Sequence, residues 1–237
     1  MDLKEVEILG SQIKDHWYYA SKASALSAAL RNIRFSRVMD VGAGSGFFSR
    51  YLLSTGKADE ALCVDNSYPE DSNQVHEGKE IAFRRSVGNE HADIVLMMDV
   101  LEHVDDDTQL IVEYARKVAS GTYFFVSVPA FEFLWSSHDV FLEHKRRYTL
   151  SGLEVAVKAS ELDVVETYYY FAGVFPIAAA LRLLGRFQGG GAADKSQLKR
   201  HSPLTNAVLS AICRMERPFM KYNRMFGLSV FCLARKK

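Results

Sequence analysis

The sequence predicts an α/β fold built on a doubly wound, mostly parallel sheet, and three stretches support this prediction. An apolar strand, 38–41, runs directly into a glycine-rich turn and a helix at 47–53. A second apolar strand, 61–64, ends in an acidic residue, Asp65. The strand at 93–98 carries a continuous apolar run, as a parallel strand buried on both faces requires.

Composition is that of one globular domain spanning residues 1–237. Apolar residues make up 48% of the chain and charged residues 24%. The three cysteines are scattered without a metal-binding or redox spacing, so we expect reduced thiols in the cytosol and no metal site. The first five residues are too polar for a signal peptide. We therefore expect a cytoplasmic protein.

Charge is distributed unevenly, although the net charge of the chain is zero. Residues 182–237 carry twelve Lys/Arg and two Asp/Glu, so this segment is about +10 and the rest about −10. Such asymmetry indicates an anionic partner, either a lipid surface or a nucleic acid, or simply a basic surface without a partner.

The N-terminal segment, 1–36, is predicted to be mainly helical, with apolar residues at helical spacing over 11–33. Four ring side chains stand in a row at 16–19, more than one helix face needs. The segment either packs on the core or forms a lid over a ligand. In the second case Tyr18 contacts the ligand and Lys22 adds a charge.

The glycine turn follows the first strand as Asp40-x-Gly42-x-Gly44-x-Gly46. The glycines let the backbone turn tightly and approach a ligand closely. A carboxylate at Asp40 would repel a pyrophosphate placed over this turn but suits a cationic group such as an ammonium. The turn thus indicates a nucleoside ligand that carries positive charge.

Asp65 closes the second strand nineteen residues after Gly46 and is followed by Asn66. An acidic residue at this distance accepts hydrogen bonds from the two ribose hydroxyls of a bound nucleoside, the alternative being a solvated loop residue. The next stretch, 66–79, is polar and irregular, and a short third strand follows at 81–83.

The fourth strand leads into Asp99-Val100-Leu101-Glu102-His103-Val104. Together with the Asp-x-Gly-x-Gly-x-Gly turn and Asp65, this Val-Leu-Glu-His-Val segment resembles class I S-adenosylmethionine-dependent methyltransferases, in particular their bacterial small-molecule and lipid branch. The resemblance covers nearly the whole chain. It favours the lid interpretation of the N-terminal aromatic residues.

The resemblance implies S-adenosylmethionine as cofactor. Asp40 and the glycines would hold its methionine end, Asp65 its ribose, and Asp99 would lie at the carboxyl end of its strand beside the ligand. The acidic residue that the family often uses for adenine is replaced here by 84–87, so Ser86 and the backbone of Val87 are the candidates. The expected cofactor-binding residues are Asp40, Gly42, Gly44, Gly46, Asp65, Asn66, Ser86, Val87, Asp99, Tyr18 and Lys22.

The loop after the fifth strand, 123–128, is rich in residues that perform chemistry. It combines histidines, aromatic residues and the pair Arg146-Arg147, which can bind an anion bidentately. The loop either serves the methyl acceptor or is a surface loop in which Thr149 and Ser151 start a helix. The candidate catalytic residues are His138, His144, His103, Arg147 and Tyr148. Since imidazole deprotonates a hydroxyl near neutral pH, we expect methylation at oxygen.

The last two strands are predicted at 162–170 and 227–234. The resemblance implies seven strands, of which the last runs antiparallel between the fifth and sixth. The insert between strands six and seven, 171–225, contains an apolar run, a glycine loop at 189–191, and a helix at 203–215 with an apolar stripe beside basic residues. Such a helix either lies on a membrane surface or caps the active site.

The resulting hypothesis is a methyltransferase acting on a small-molecule, lipid-linked or glycan-linked acceptor, peripheral to the inner face of the membrane and without a nucleic-acid partner. A nicotinamide dehydrogenase would share the glycine turn, but Asp40 and the segment at 100–104 argue against it. A non-catalytic cofactor-binding regulator or a membrane-associated scaffold is the remaining alternative.

Overall fold

A single sheet organises the chain, for which a computed structural model describes residues 10–187 and 202–237. Its strands are β1 (Arg37–Val41), β2 (Glu60–Val64), β3 (Ser72–His76), β4 (Lys79–Arg84), β5 (Ile94–Met98), β6 (Tyr123–Pro129), β7 (Leu162–Tyr170) and β8 (Ser229–Lys236). They lie in the order β3-β4-β2-β1-β5-β6-β8-β7. The pairs among β4, β2, β1, β5 and β6 are parallel, whereas β8 lies antiparallel between β6 and β7. The doubly wound prediction, including the reversed last strand, is confirmed.

The strand count is eight rather than seven because β3 pairs antiparallel with β4. The turn between them places Glu77 and Gly78 at φ 51° and 81°, the left-handed conformations of a tight hairpin. The strand was predicted as irregular because its residues are polar and mostly exposed, so no apolar alternation marks it.

Helices cover both faces of the sheet. They are α1 (Trp17–Ala29), α2 (Phe47–Ser54), α3 (Asp107–Lys117), α4 (Ser137–Phe141), α5 (Leu150–Ala159), α6 (Phe175–Phe187) and α7 (Pro203–Glu216). Short 3-10 helices lie at Gly10–Asp15, Leu101–His103, Glu132–Leu134 and Arg217–Tyr222. The predicted N-terminal helix is therefore a 3-10 turn followed by α1. The predicted glycine loop at 189–191 lies outside the described residues.

Two apolar cores meet at the sheet, and β5 contributes to both. Leu96 faces one core, which α1, α2 and α7 cover, while Val95 and Met97 face the other, which α3 and α5 cover. Every residue of β5 is buried. The continuous apolar run in the sequence predicted such a strand, because a strand that is buried on both faces needs apolar residues on both.

The insert between β7 and β8 packs back onto the N-terminal helix. Asn206 on α7 accepts a hydrogen bond from the backbone N–H of Trp17 at 2.7 Å. Glu216, at the end of the same helix, accepts the N–H groups of Ala172 and Gly173 at 2.8 and 3.1 Å. The insert is thus joined to the N-terminal helix by the hydrogen bond to α7. Within the described residues, no helix has both the length and the apolar character needed to cross a bilayer.

The glycine turn gives a test of the local packing. Gly42 has φ 65°, and a Cβ there would stand 2.5 Å from a methyl carbon of Val100. We expect Gly42→Ala to destabilise the protein by about 2–4 kcal/mol, combining left-handed backbone strain with overpacking. Urea unfolding followed by circular dichroism measures this loss.

Gly56→Ala is the matched control, since Gly56 has φ 69° but nothing within 4 Å of its Cβ position. This variant should lose only the strain contribution, about 1–2 kcal/mol. Equal losses of stability in the two variants would show that the contact with Val100 does not add to the destabilisation caused by Gly42→Ala.

Candidate functional site

The carboxyl ends of the parallel strands meet at one edge of the sheet, where ligands bind in doubly wound folds. The glycine turn follows β1, Asp65 follows β2, and Asp99 follows β5. The fold brings these predicted residues to one crevice because their strands are adjacent and parallel. Ser86 and Val87 follow β4 at the same edge.

The glycine turn is held by backbone bonds to its neighbours. The N–H of Gly42 donates to the carbonyl of Val64 at 2.7 Å. Asp65 accepts the N–H of Gly44 at 2.9 Å, and the hydroxyl of Tyr68 donates to the carbonyl of Gly44 at 2.7 Å. These bonds fix the turn relative to β2, and the part that Tyr68 plays in them was not predicted from the sequence.

Asp40 lies beneath the turn rather than on its surface. Its carboxylate is buried and accepts a hydrogen bond from the Ser49 hydroxyl at 2.8 Å. Burial raises the pKa of Asp40 to about 6, because the low-polarity surroundings disfavour its charge. Asp40 can therefore act on a ligand through its charge, whereas in this structure its direct hydrogen bond goes to Ser49.

Lys22 and Asp99 form a buried ion pair that connects α1 to the end of β5. The Lys22 ammonium lies 2.6 Å from one carboxylate oxygen of Asp99 and 3.0 Å from the hydroxyl of Tyr18. Burial alone would lower the pKa of Lys22, but the charges of Asp99 and Tyr18 and the hydrogen bonds to them together raise it above its usual range, so the group stays charged. The three predicted residues are together, with the charge of Lys22 neutralised by Asp99.

An aromatic contact closes the same side of the crevice. The ring of Tyr18 stacks on Phe171 with centroids 5.1 Å apart and planes 17° apart, and Trp17 meets Phe171 edge-on at 5.8 Å. Phe171 has φ 67°, an uncommon conformation for a bulky residue. The sequence placed Phe171 only at the start of the insert, so its contact with the lid is new.

A cluster of one carboxylate and two imidazoles lies next to Asp99. Potential ligand atoms of Glu102, His103 and His144 all lie within 4.8 Å of one another. The two imidazole rings are nearly perpendicular, with centroids 4.8 Å apart. Burial, and then the neighbouring His144, lowers the pKa of His103 to about 4. Burial, reinforced by Asp99, raises the pKa of Glu102 well above its usual range.

A second carboxylate, Asp139, orients His144. Its oxygen lies 3.0 Å from Nδ1 of His144 and 2.7 Å from Nε of Arg147, and the Asp139 side chain is fully buried. Burial would raise the pKa of Asp139, but the hydrogen bond from His144 and the charge of Arg147 lower it below its usual range. An ionised carboxylate only accepts, so Nδ1 carries the proton and Nε2 of the neutral ring keeps its lone pair.

The guanidinium groups of the arginine pair, which the sequence predicted to bind an acceptor anion, are bound to groups of the protein itself in this structure. Arg147 binds Asp139 and the carbonyl of Ala130, and its side chain is only 3% exposed. Arg146 donates to the carbonyls of Val104 and Asp105 at 3.2 and 2.6 Å. Arg146 therefore joins its loop to the segment after β5, whereas Arg147 holds the loop after β6 together internally.

Tyr148 and His138 differ from His144 in their surroundings. The Tyr148 hydroxyl donates to Asp107 at 2.7 Å, and burial together with that hydrogen bond raises its pKa. This side chain thus anchors the loop to α3. His138 is half-buried on α4, the helix that also carries Asp139.

Asn66 and Ser86 are exposed at the ends of β2 and β4.

The insert reaches the site through a residue that sequence reasoning did not assign to it. Arg182 on α6 donates to the carbonyl of Leu134 at 3.1 Å. Burial, and then the positive charge of Arg147, lowers the pKa of Arg182 to about 10. The signal available in the sequence was a single basic residue within an apolar run, which pointed to a helix end rather than to a site.

These residues fit S-adenosylmethionine. Asp40 and Asp65 receive their hydrogen bonds from a hydroxyl and from backbone N–H groups, and within residues 10–187 and 202–237 neither is ion-paired with a cation. Two carboxylates without a counter-charge suit a cationic ligand with ribose hydroxyls and disfavour a pyrophosphate.

Comparison with known proteins agrees with this geometry. The sequence matches the methyltransferase-domain family Methyltransf_23 over residues 15–167, more than half of the chain. No curated protein matches it significantly.

Several solved structures share the fold. A SAM-dependent methyltransferase from Archaeoglobus fulgidus is 18% identical with a TM-score of 0.53, and the match covers 99% of this chain and 98% of that one. The plantazolicin methyltransferase BpumL, solved with a monoazolic desmethylPZN analog and SAH, is 12% identical with a TM-score of 0.57, covering 99% and 89%. The [4+2]-cyclase SpnF is 15% identical with a TM-score of 0.56, covering 92% and 81%.

The structural neighbours are too distant to show more than a shared fold, whereas the family match covers the glycine turn, the segment at 99–104 and the loop that carries His144. The chain belongs to the class I S-adenosylmethionine-dependent methyltransferases.

Proposed function

We propose that this methyltransferase acts on a hydroxyl group of a small or lipid-linked acceptor. The observation that carries the proposal is the buried pair of Asp139 and His144, which leaves the Nε2 lone pair of His144 available beside His103. A lone pair fixed in this way can take the proton of an acceptor hydroxyl.

S-adenosylmethionine would supply an electrophilic methyl group when bound. The residues of this chain position the partners and move one proton. Asp65 would accept hydrogen bonds from the ribose hydroxyls, the glycine turn would support the methionine end, and the charge of Asp40 would favour its ammonium. Ser86 and the backbone of Val87 would hold the adenine. His144 accepts the hydroxyl proton, and Asp139 stabilises the resulting imidazolium.

The lid and cap exclude water from this reaction. Tyr18 and Phe171 stack over one side of the crevice, and Arg182 ties α6 to the loop that carries Asp139. Exclusion of water protects the ordered arrangement of acceptor and cofactor that makes an in-line displacement fast.

Exposed apolar residues favour an amphipathic acceptor at a membrane surface. Around the insert, large apolar side chains are exposed on α6, on α7 and in the segment that follows it: Ile177, Leu181, Leu184, Leu204, Val208, Met215, Phe219, Tyr222 and Met225. Apolar groups of this kind insert into the boundary between lipid headgroups and acyl chains. We infer that this surface docks on an anionic membrane.

The basic residues of the same region act partly within the protein. Lys221 forms an ion pair with Glu166 at 2.5 Å, and Arg224 pairs with Glu154 at 3.0 Å. Their charges hold the insert to the rest of the domain. The exposed apolar residues are therefore the sharper probe of membrane docking.

Cofactor binding should depend on the ionisation of Asp40. Below pH 6 Asp40 is mostly protonated and neutral, whereas above it the carboxylate attracts a ligand ammonium. We expect the affinity for S-adenosylmethionine to rise by up to roughly tenfold between pH 5 and 7. Calorimetry should show this rise in the wild type and a flat profile in Asp40→Asn.

Asp65→Ala serves as the contrasting variant. It should weaken binding by roughly 1.5–3 kcal/mol at every pH, because it removes hydrogen bonds to a charged group. Tight NAD binding without a response to S-adenosylmethionine would contradict the assignment of these residues.

Methyl transfer should depend on His144. We expect His144→Ala to reduce turnover on the order of 10²–10⁴-fold while the affinity for the cofactor stays unchanged. Isotopically labelled S-adenosylmethionine, incubated with a cell extract and followed by mass spectrometry, measures turnover and identifies the methylated atom.

His91→Ala is the control, since His91 is exposed and precedes β5, at the opposite end of that strand from Asp99. It should retain full activity. Unchanged turnover in His144→Ala, or a labelled product methylated only at nitrogen or carbon, would rule out the assigned reaction.

Membrane docking should require the apolar face of α6. We expect the wild type to sediment with vesicles that contain anionic lipid, and less so as salt is added. The double variant Leu181→Ser/Leu184→Ser should bind several-fold more weakly, because it removes two exposed side chains that would enter the lipid.

Val155→Ser/Val165→Ser is the matched control, with two exposed valines on α5 and β7. It should bind like the wild type. If the wild type ignores vesicles of every composition, the insert serves only as an active-site cap.

A further inference from the structure

Glu102 raises a question that the proton-transfer scheme leaves open. Its side chain is fully buried, and within the described part of the chain neither carboxylate oxygen has a hydrogen-bond partner. A buried carboxylate without a partner is costly, so it must bind either a proton or a cation. Lys22, a cation whose charge acts on Glu102, donates its hydrogen bonds to Asp99 and Tyr18 instead.

The side chains next to Glu102 are ones that can act as metal ligands. His103 and His144 place imidazole nitrogens within 4.8 Å of its carboxylate and of each other. One carboxylate oxygen and two imidazole nitrogens form a ligand set that suits divalent first-row transition metals. In a tetrahedral site with ligands about 2.1 Å from the metal, ligand atoms stand roughly 3.4 Å apart, so small side-chain rotations would close this set.

The surroundings of His144 fit a metal ligand. Asp139 holds its Nδ1 at 3.0 Å, which directs the Nε2 lone pair away from Asp139. Histidines that bind metals commonly donate their other ring N–H to a carboxylate in this way. The backbone also fixes the two halves of the cluster, because the N–H of Lys145 donates to the carbonyl of Glu102 at 2.7 Å.

We propose that Glu102, His103 and His144 bind one divalent first-row transition-metal ion beside the cofactor crevice. The sequence predicted no metal site because the cysteines are scattered, and His144 lies forty-one residues from His103. The fold brings the three together because the loop after β6 lies against the segment after β5.

The catalytic role of the ion rests on the proposed function, whereas its binding does not. Three protein ligands leave a coordination position open for the acceptor oxygen. The acceptor O–H bond then breaks with its electron pair kept on oxygen, and the proton passes to water. The oxygen forms the bond to the methyl carbon, and the S–C electron pair returns to sulfur. In this form of the enzyme His144 is a ligand, and the ion replaces it in activating the hydroxyl.

The test is titration of the chelator-treated full chain with Co²⁺, followed by visible absorption and calorimetry. We expect one ion per chain and absorption bands that report nitrogen ligation. Glu102→Gln and His144→Ala should each weaken binding by more than about 100-fold, and Asp139→Asn by about 10–100-fold. His91→Ala should bind like the wild type.

Thermal unfolding separates metal binding from simple structural damage. Without metal, Glu102→Gln should be at least as stable as the wild type, because it removes an unpaired buried carboxylate. With Co²⁺ the melting temperature should rise in the wild type but not in this variant. A wild type that binds Co²⁺, Zn²⁺ and Mn²⁺ no better than Glu102→Gln would overturn the proposal.

Activity measurements distinguish a failure of the proposed metal site from a failure of the proposed function. If one ion binds as described but no oxygen acceptor is ever methylated, the proposed function fails and the metal site stands. If the chelated enzyme methylates a hydroxyl at full rate and the cluster binds no ion, the metal site fails and His144 remains the base.

Discussion

The ion pair between Lys22 and Asp99 brings two opposite charges together at the edge of the crevice. It joins the first long helix to the end of the central strand β5, and the Lys22 side chain is completely buried. Removal of either partner would leave the other charge uncompensated, a loss that commonly amounts to about 3–5 kcal/mol. The charge of Lys22 also acts to lower the pKa of Glu102, but burial and Asp99 outweigh it, and the Lys22 ammonium donates its hydrogen bonds to Asp99 and Tyr18. The pair therefore holds the N-terminal helix against the sheet and leaves the Glu102 carboxylate without a hydrogen bond from Lys22.

Local sequence signals predicted which strand ends the fold brings together at the crevice. A glycine turn, Asp65 at the end of β2, and Asp99 at the end of β5 each depend on residues adjacent in the chain, and parallel strands bring their ends together by topology. The apolar core strands could likewise be predicted from residues adjacent in the chain. The hairpin strand β3 escaped prediction because an exposed polar strand has no apolar period to detect.

The acceptor side could not be predicted in the same detail, because it depends on contacts between distant segments. Nothing in the sequence of the pair Arg146-Arg147 indicates that Arg147 would form an ion pair with Asp139, eight residues earlier. The juxtaposition of Glu102 with His144 likewise depends on how the loop after β6 folds back. The fold alone does not settle the chemistry either, since a [4+2]-cyclase is among the structural neighbours.

The stack of Tyr18 on Phe171 has a consequence for how the crevice opens. Tyr18 belongs to the lid near the start of the chain, and Phe171 begins the insert near its end. Glu216 and Asn206 then tie α7 to both segments. The N-terminal helix and the insert are therefore packed together as one unit. Under the proposed function, admission of a large acceptor would require both segments to move together, so that opening and closing would be one concerted event.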